Sequence, residues 1–508
     1  MKRLCLIALC LLLALPLCGC WQEEPMEDAS PVPLGTAPEP PRDASQNSQL
    51  PDRFSLPYEP DHTLDPIDCP DGMQQVVGSL LYEGLFRLDP RLEPELCLCD
   101  SYSHSEDFTF YTFVLRPGAA FSTGLPLTAE HVKTALDRAR ESRRYGARLR
   151  QIEEITAAGD TLFVTLSAPN SGLPALLDVP ISTEREGGGV PLGTGPYYFA
   201  REDGGAWLIA NPGWGQGNQP VERIFLEESQ NALLYRFTSR DVQLIVADLT
   251  AASPAGFTGD IRYQDAAATS MQYFICNIDR DPLNRAEFRR ALSLGIDRSR
   301  LVSGFLSGHA LPAMFPVSPA SPLYPADLEI AYTPFALSSA LTDMGWSGGR
   351  TLVLLASAEN TFKASIVQSV AETFEQAGIS VETRILPWEE YLAALEARDF
   401  DLCYCETRLS ADWDLTPLLA SWGSLNYGGW YGQRTDSLLN AFAAASDRPA
   451  AMRALCELLR DQFPILPVCF TSSSVLTLPD VVEKLRPTAA EPFYNLTECV
   501  IHLSQEGE

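Results

Sequence analysis

Two periodicities of apolar and polar positions alternate along the chain. Phe108 to Leu115 (FTFYTFVL) is aromatic and β-branched, a strand pattern that Arg116-Pro117-Gly118 ends in a turn. After it, Ala129, Val132, Ala135, Leu136 and Ala139 recur at helical spacing, with Thr128 placed to cap and Glu130 in the first turn. Leu162 to Leu166 alternates as a strand again. Asn284 with Glu287 three residues on has the form of a capping box, opening a helix through Phe288, Ala291 and Leu292.

The plainest architectural signal lies further along. Leu352 to Ala356 is an apolar run. Thr361 to Ala377 is helical, with Ile366, Val367, Val370, Ala371 and Phe374 on one face, and Gly378 stops it. Ile379 to Leu386 reads as a second strand, Trp388 to Ala397 as a second helix, and Phe400 to Cys405 as a third strand. That β-α-β-α-β order predicts a mostly parallel sheet with right-handed crossovers, so the fold class is α/β. No repeat of fixed period is present.

The stretch before the patterned region matters for location. Residues 21–50 carry Pro25, Pro31, Pro33, Pro38, Pro40 and Pro41 among acidic and small polar residues, too little apolar material to offset ordering entropy. They predict an extended tether. Lys2-Arg3 followed by the apolar run Leu4 to Leu15 has the form of an export signal, and Leu17-Cys18-Gly19-Cys20 resembles a bacterial lipobox. Cys20 is then the expected lipidation site and residues 1–19 the signal peptide. No later apolar run is long enough to span a bilayer.

Composition narrows the partners. The 508 residues carry 66 acids against 37 Lys and Arg, a formal charge of −29. Loss of residues 1–19 removes Lys2 and Arg3 and no acid, which takes the charge to −31. A surface of that sign repels phosphate, which excludes nucleic acid as an expected partner. Nine Cys remain beyond residue 20, too few for a disulfide scaffold in a chain of this length. Cys97-Leu-Cys99 and Cys403-Tyr-Cys405 each place two thiols on one face of a strand, a spacing open to a soft metal or to ordinary packing; packing is the expectation. No nucleophile, metalloprotease or phosphate-loop signature occurs. Neither enzyme activity, nor a cofactor, nor a resident metal is therefore expected.

Several collinear segments resemble the extracytoplasmic solute-binding proteins of family 5, receptors of ABC importers of the oligopeptide, dipeptide and nickel type. They are Thr63-Leu64-Asp65-Pro66, Leu81 to Leu85, Phe110 to Arg116 and Phe121 to Val132. Gly193 to Tyr197, Arg289 to Arg298, Phe400 to Leu402, Asn426 to Asp436 and Phe463 to Pro467 follow in order. Within them, Thr194-Gly195-Pro196 reads as a turn exploiting glycine's permissive φ, and Asp297-Arg298 as a structural ion pair.

The resemblance implies a periplasmic-binding-protein-like clamp of two lobes (type II, cluster C) with an extra inserted domain. Domain I would take residues 51–80, 191–267 and 478–508, domain II 81–190, and domain III 268–477. Crossing strands would lie near Ala268–Tyr273 and Phe470–Leu476. It further implies a monomeric, lipid-anchored receptor that hands a short peptide to ABC permease subunits. Other solutes of such receptors, chelated nickel or an oligosaccharide, are the alternatives, as is a surface signalling or chaperone-like role. Peptide-binding relatives place a buried Asp before an aromatic residue to neutralise the ligand's ammonium. The matching segment is Asp412-Trp413-Asp414, in which either acid fits that role or caps a helix over Leu415 to Trp422. Trp388 and Trp430 sit in segments resembling cleft walls, and Tyr273 lies near a crossing strand. Arg398 and Arg408 are candidates for local positive charge in the cleft.

Overall fold

The structure, a computed structural model, describes residues 50–504 apart from 71, 203, 231 and 251–259. The expected signal peptide, Cys20 and all of the tether but Leu50 lie outside the described residues. Apolar residues collect into three separate cores. One is built from 54–82, 197–249 and 475–499, with Leu50 packed on its edge. It holds a four-stranded sheet in which Ser55–Tyr58 runs parallel to Arg223–Glu228, followed by Gly205–Ala210 and Tyr197–Glu202 in antiparallel order.

A second core spans residues 67–192. Its antiparallel sheet orders Cys99–His104, Phe110–Leu115, Thr161–Leu166 and Ile152–Ala158. Tyr111 and Phe113 turn inward from the aromatic strand while Phe110 stays exposed, the period of two expected from the sequence. Helix Ala129–Glu141 covers this sheet with its Ala129, Val132, Ala135, Leu136 and Ala139 stripe. Thr128 caps it, and the partner completing the capping box is the ring of His131.

The third core draws on 271–470 and contains the β-α-β-α-β unit. Leu352–Ser357 lies between Val381–Leu386 and Leu402–Arg408 and is parallel to both, as the alternation of periods predicts. Helix Thr361–Gln376 is capped by Asn360, whose side-chain oxygen accepts from Phe362 N and Lys363 N. Gly378 ends that segment at φ 88°. Two local expectations are corrected here. Asn284 does not cap helix Ala286–Leu294, because a preceding turn binds its N–H to Arg280 O and moves the helix start to Arg285. Asp297 and Arg298 do not pair with each other. Asp297 caps helix Arg298–Phe305, while Arg298 is half-buried and donates to the carbonyls of Ala313 and Pro467. Without a carboxylate partner, burial pushes its guanidinium down to about 10.

Two long strands, Arg262–Cys276 and Ile465–Thr477, run antiparallel from the first core into the third. The ladder breaks between Ala267 and Met271, a bulge that leaves 268–270 facing a single residue of the other strand. Side chains here are small: Ala267, Ala268, Thr269 and Ser270 opposite Thr471 and Ser472. This stretch lies where the two strands pass from the first core to the third.

The second core joins the first through paired connectors, Leu81–Glu83 outgoing and Gly193–Pro196 returning. Gly195 N donates to Leu81 O at 3.0 Å. A Cβ on Gly193 would overlap the Leu81 carbonyl oxygen, and one on Gly195 would sit 2.6 Å from the Leu81 carbonyl carbon. Gly195 does not adopt positive φ, so close approach of two backbones, rather than φ freedom, requires glycine in this turn.

Candidate functional site

Parallel strands aim their carboxyl ends at one edge of a sheet, where loops leave the backbone free to face a ligand. In the third core this edge is formed by Ser357–Asn360, Leu386–Trp388 and Cys405–Arg408. Ser270 pairs with Arg408, so the same edge adjoins the bulge of the crossing strands.

Polar groups at this edge are closely coupled. Gln272 is fully buried, accepts from Tyr404 Oη at 2.8 Å and donates to Glu406 at 2.7 Å. Glu406 also meets Lys363 Nζ at 3.3 Å. Trp388 begins helix Trp388–Glu396, half-buried, with its N–H 3.4 Å from Glu359 and its ring stacked on Tyr391 at 5.6 Å. Arg408 is exposed at the end of its strand.

Next to this edge stands the Asp412 turn, tied to the crossing strands by Leu409 N donating to Thr269 O at 3.0 Å. Asp412 is 4% exposed. One carboxylate oxygen accepts from Ser410 Oγ at 2.5 Å and Asp414 N at 3.2 Å, the other from Asn170 Nδ2 at 2.9 Å. Arg448 donates to Ser171 Oγ at 2.9 Å and bonds the Asp412 carbonyl. The Asp412 charge in turn opposes the downward push that burial exerts on Arg448. A buried carboxylate is thus held by neutral hydrogen-bond donors of the protein and fastens the second core to the third.

Trp413, at φ 58°, is 1% exposed and meets Phe470 of a crossing strand edge-on at 6.0 Å. Its indole N–H is buried without a hydrogen-bond acceptor among the described residues. Asp414 accepts from Thr416 N at 2.9 Å and lies 3.4 Å from Arg150 of the second core. The helix that follows is a single turn, Thr416–Leu419, much shorter than the expected Leu415 to Trp422.

The six ligand candidates therefore divide. Asp412, Trp413 and Asp414 form one turn beside the crossing strands, and Trp388 stands at the carboxyl edge of the sheet. Tyr273 is buried within a crossing strand opposite Cys405. Trp430 is elsewhere. It packs near Arg289, 5.8 Å away, and its loop hydrogen-bonds Ile278, beyond the Cys276 end of the strand. Arg398 lies at that distant end too, bound to Asp279 at 2.7 Å and to Gly428 O at 2.9 Å, so it is not placed to charge this edge. Asn170 and Arg448 had no signal in the sequence, since their partner lies hundreds or tens of residues away.

A second, partly buried cluster occupies the joint of the first two cores. Glu83 accepts from Trp214 Nε1 at 3.1 Å and lies 3.6 Å from Arg116. Tyr494 bonds Glu95 at 2.7 Å and stacks under Arg87. Burial, reinforced by the carboxylates of Glu83, Asp178 and Glu95 and opposed by Arg87, pushes Glu491 up to about 7. Among the described residues, no group of three His, Cys, Asp or Glu side chains surrounds a common point, and no helix is long and apolar enough to cross a membrane.

Residues 93–429 match the family of bacterial extracellular solute-binding proteins, family 5 (middle region). The glutathione-binding protein GsiB of Escherichia coli (strain K12) is 26% identical over 391 residues, covering 71% of this chain and 76% of the relative. Among solved structures, a nickel ABC transporter protein from Bacillus halodurans superposes with a TM-score of 0.75 at 21% identity, covering 89% of this chain and all of the other. The oligopeptide-binding protein AppA of Bacillus subtilis, solved with a nonapeptide, gives 0.60 at 20% identity over 89% of this chain and 99% of its own. An α/β clamp with crossing strands, a β-α-β-α-β lobe and a match over most of the chain identify the molecule as a member of the family 5 bacterial extracellular solute-binding proteins.

Proposed function

We propose that the protein is tethered to the outer face of a bacterial membrane through lipid on Cys20, captures a short peptide between its lobes and passes it to an ABC permease. The observation that carries this reading is the Asp412 turn: a buried carboxylate standing beside the bulge where both lobes are connected. We take domain I as 51–80, 191–267 and 478–508, domain II as 81–190 and domain III as 268–477, with residues 20–50 as anchor and tether. The cleft lies between domains I and III, floored by the crossing strands.

The ligand ammonium takes the place of the Asn170 amide on Asp412. A charge-assisted bond replaces a neutral one there, and the freed domain II can adjust as the clamp closes. Trp388, half-buried at the sheet edge, supplies flat apolar surface, while the buried Trp413 and Tyr273 stiffen the structure behind it and Asp414 holds the turn. Relatives named for glutathione and for a nonapeptide complex support a peptide as the solute class.

Binding to the folded state alone raises the unfolding temperature, by an amount equivalent to about 2.7 kcal/mol at a ligand concentration a hundredfold above Kd. A thermal-unfolding panel of di- to pentapeptides with glutathione is expected to yield at least one saturable shift. Nickel–histidine and oligosaccharides belong in the same panel. A shift only with these replaces peptide as the solute. Asp412→Ala is expected to weaken free-amine peptides by about tenfold or more while leaving their N-acetylated forms much less affected. Equal losses would reduce Asp412 to a fastening between domains.

A further inference from the structure

Among the described residues the chain carries two Cys-x-Cys segments, Cys97-Leu98-Cys99 and Cys403-Tyr404-Cys405, and the fold treats them differently. Cys97 and Cys99 flank the start of a strand and part company: Cys97 Sγ lies 3.7 Å from Glu83, and Cys99 Sγ points to Ser101 O at 3.2 Å. Cys403 and Cys405 sit within strand Leu402–Arg408 and project from one face of it. Their sulfurs are 3.6 Å apart. The hydroxyl of Tyr391, from the helix packed on that face, lies 3.2 Å from Cys405 Sγ and 3.5 Å from Cys403 Sγ.

These three atoms form a nearly equilateral triangle. A point above its centre can be about 2.0–2.3 Å from all three, the range of metal–oxygen and metal–sulfur bonds in tetrahedral sites. A disulfide needs a different geometry: the sulfurs would have to close to about 2.05 Å along an extended strand, where residues two apart are near the limit of bridging. Holding an ion requires almost no movement, and bridging requires a local distortion of a central strand. We propose that Cys403 and Cys405 are a chelating pair for a thiophilic d10 cation, with the Tyr391 hydroxyl as a third contact.

Binding converts both thiols to thiolates and releases two protons, so affinity rises with pH. Cys405 is partly exposed and gives the ion its way in. The site adjoins Trp388 through the Tyr391 ring, yet it does not depend on which solute the cleft takes.

The test is titration of the reduced full-length protein with Cd(II) alone, followed by thiolate-to-cadmium absorption and native mass spectrometry. The expected result is one tightly bound ion per chain. Cys403→Ser and Cys405→Ser should each lower affinity by at least about tenfold, Tyr391→Phe by less, and Cys97→Ser not at all. Thermal unfolding of each variant verifies that it is folded. Cadmium held as tightly by Cys403→Ser and Cys405→Ser as by the parent would overturn the proposal. So would absence of binding by reduced protein, including a case where oxidised glutathione removes about 2 Da from the 402–408 segment, which would make the pair a dithiol–disulfide couple instead.

Discussion

Trp413→Ala is expected to destabilise the third core by about 3–5 kcal/mol, the usual cost of emptying a large aromatic site that cannot fully collapse. Trp413 is among the largest side chains with almost no exposure, and it braces Phe470 on a crossing strand. Its backbone is left-handed, so alanine does not relieve the φ of 58°. Trp413→Gly should recover a fraction of the loss by removing that strain, and Trp413→Phe a larger fraction by refilling the volume. In denaturant unfolding, a change under about 1 kcal/mol for alanine would reject the packing role. Hydrogen exchange in 409–419 and 465–470 should accelerate together, because the indole links those two segments. Peptide affinity measured on Trp413→Phe separates packing from contact, since the fold survives that change.

Asp401→Ala is the second large effect. Asp401 is fully buried at the start of the third parallel strand, and both its oxygens face the Arg350 guanidinium, one at 2.6 Å from Nη1. Val353 N donates to it at 2.8 Å, which locks Leu352–Ser357 beside Leu402–Arg408. Removing the carboxylate orphans that N–H and leaves a guanidinium without its partner. Arg350 is 41% exposed and can turn to water, so the expected loss is about 2–3 kcal/mol rather than the full value for a buried pair. Asp401→Asn keeps the acceptor for Val353 and should lose roughly half as much. An unfolding midpoint unchanged in Asp401→Ala would show that the pair contributes nothing net.

Asp401 also illustrates how far residues can be read before they are folded. Its segment, Phe400-Asp401-Leu402, is recognisable in the chain, whereas its partner Arg350 lies 51 residues away. The same holds for Arg289, whose guanidinium serves the carbonyls of Leu283, Gln462 and Phe463 and thereby terminates helix Arg448–Gln462. Local devices are more transparent. Thr128 and Gly378 act within four residues of themselves, and each sits where the sequence placed it; Asn360, the cap of the helix at Thr361, is equally local. Where local prediction failed, a neighbour outside the window intervened: the turn at Arg280 displaced the Asn284 cap, and carbonyls from two distant segments claimed Arg298.

At the candidate site the division is sharper. Asp412, Trp413 and Asp414 are adjacent in sequence and remain together in space, as any single turn must. Trp388 and Trp430 both resemble cleft walls, yet the parallel sheet sends one to its carboxyl edge and the other to its opposite end. Which edge a residue reaches depends on strand direction and register, and register is set by pairing across hundreds of positions.

Sequence alone determined the α/β class, the parallel β-α-β-α-β unit and the family, because periodicity and short collinear segments are local properties that survive without coordinates. Tertiary structure decided what each polar group does. Asp412 became a fastening to Asn170, Gly195 a close backbone contact, and one of the two described Cys-x-Cys segments a converging pair of thiols. The physical reason is common to all three: a buried polar atom is defined by the partner that satisfies it, and chain folding, rather than chain neighbourhood, brings that partner.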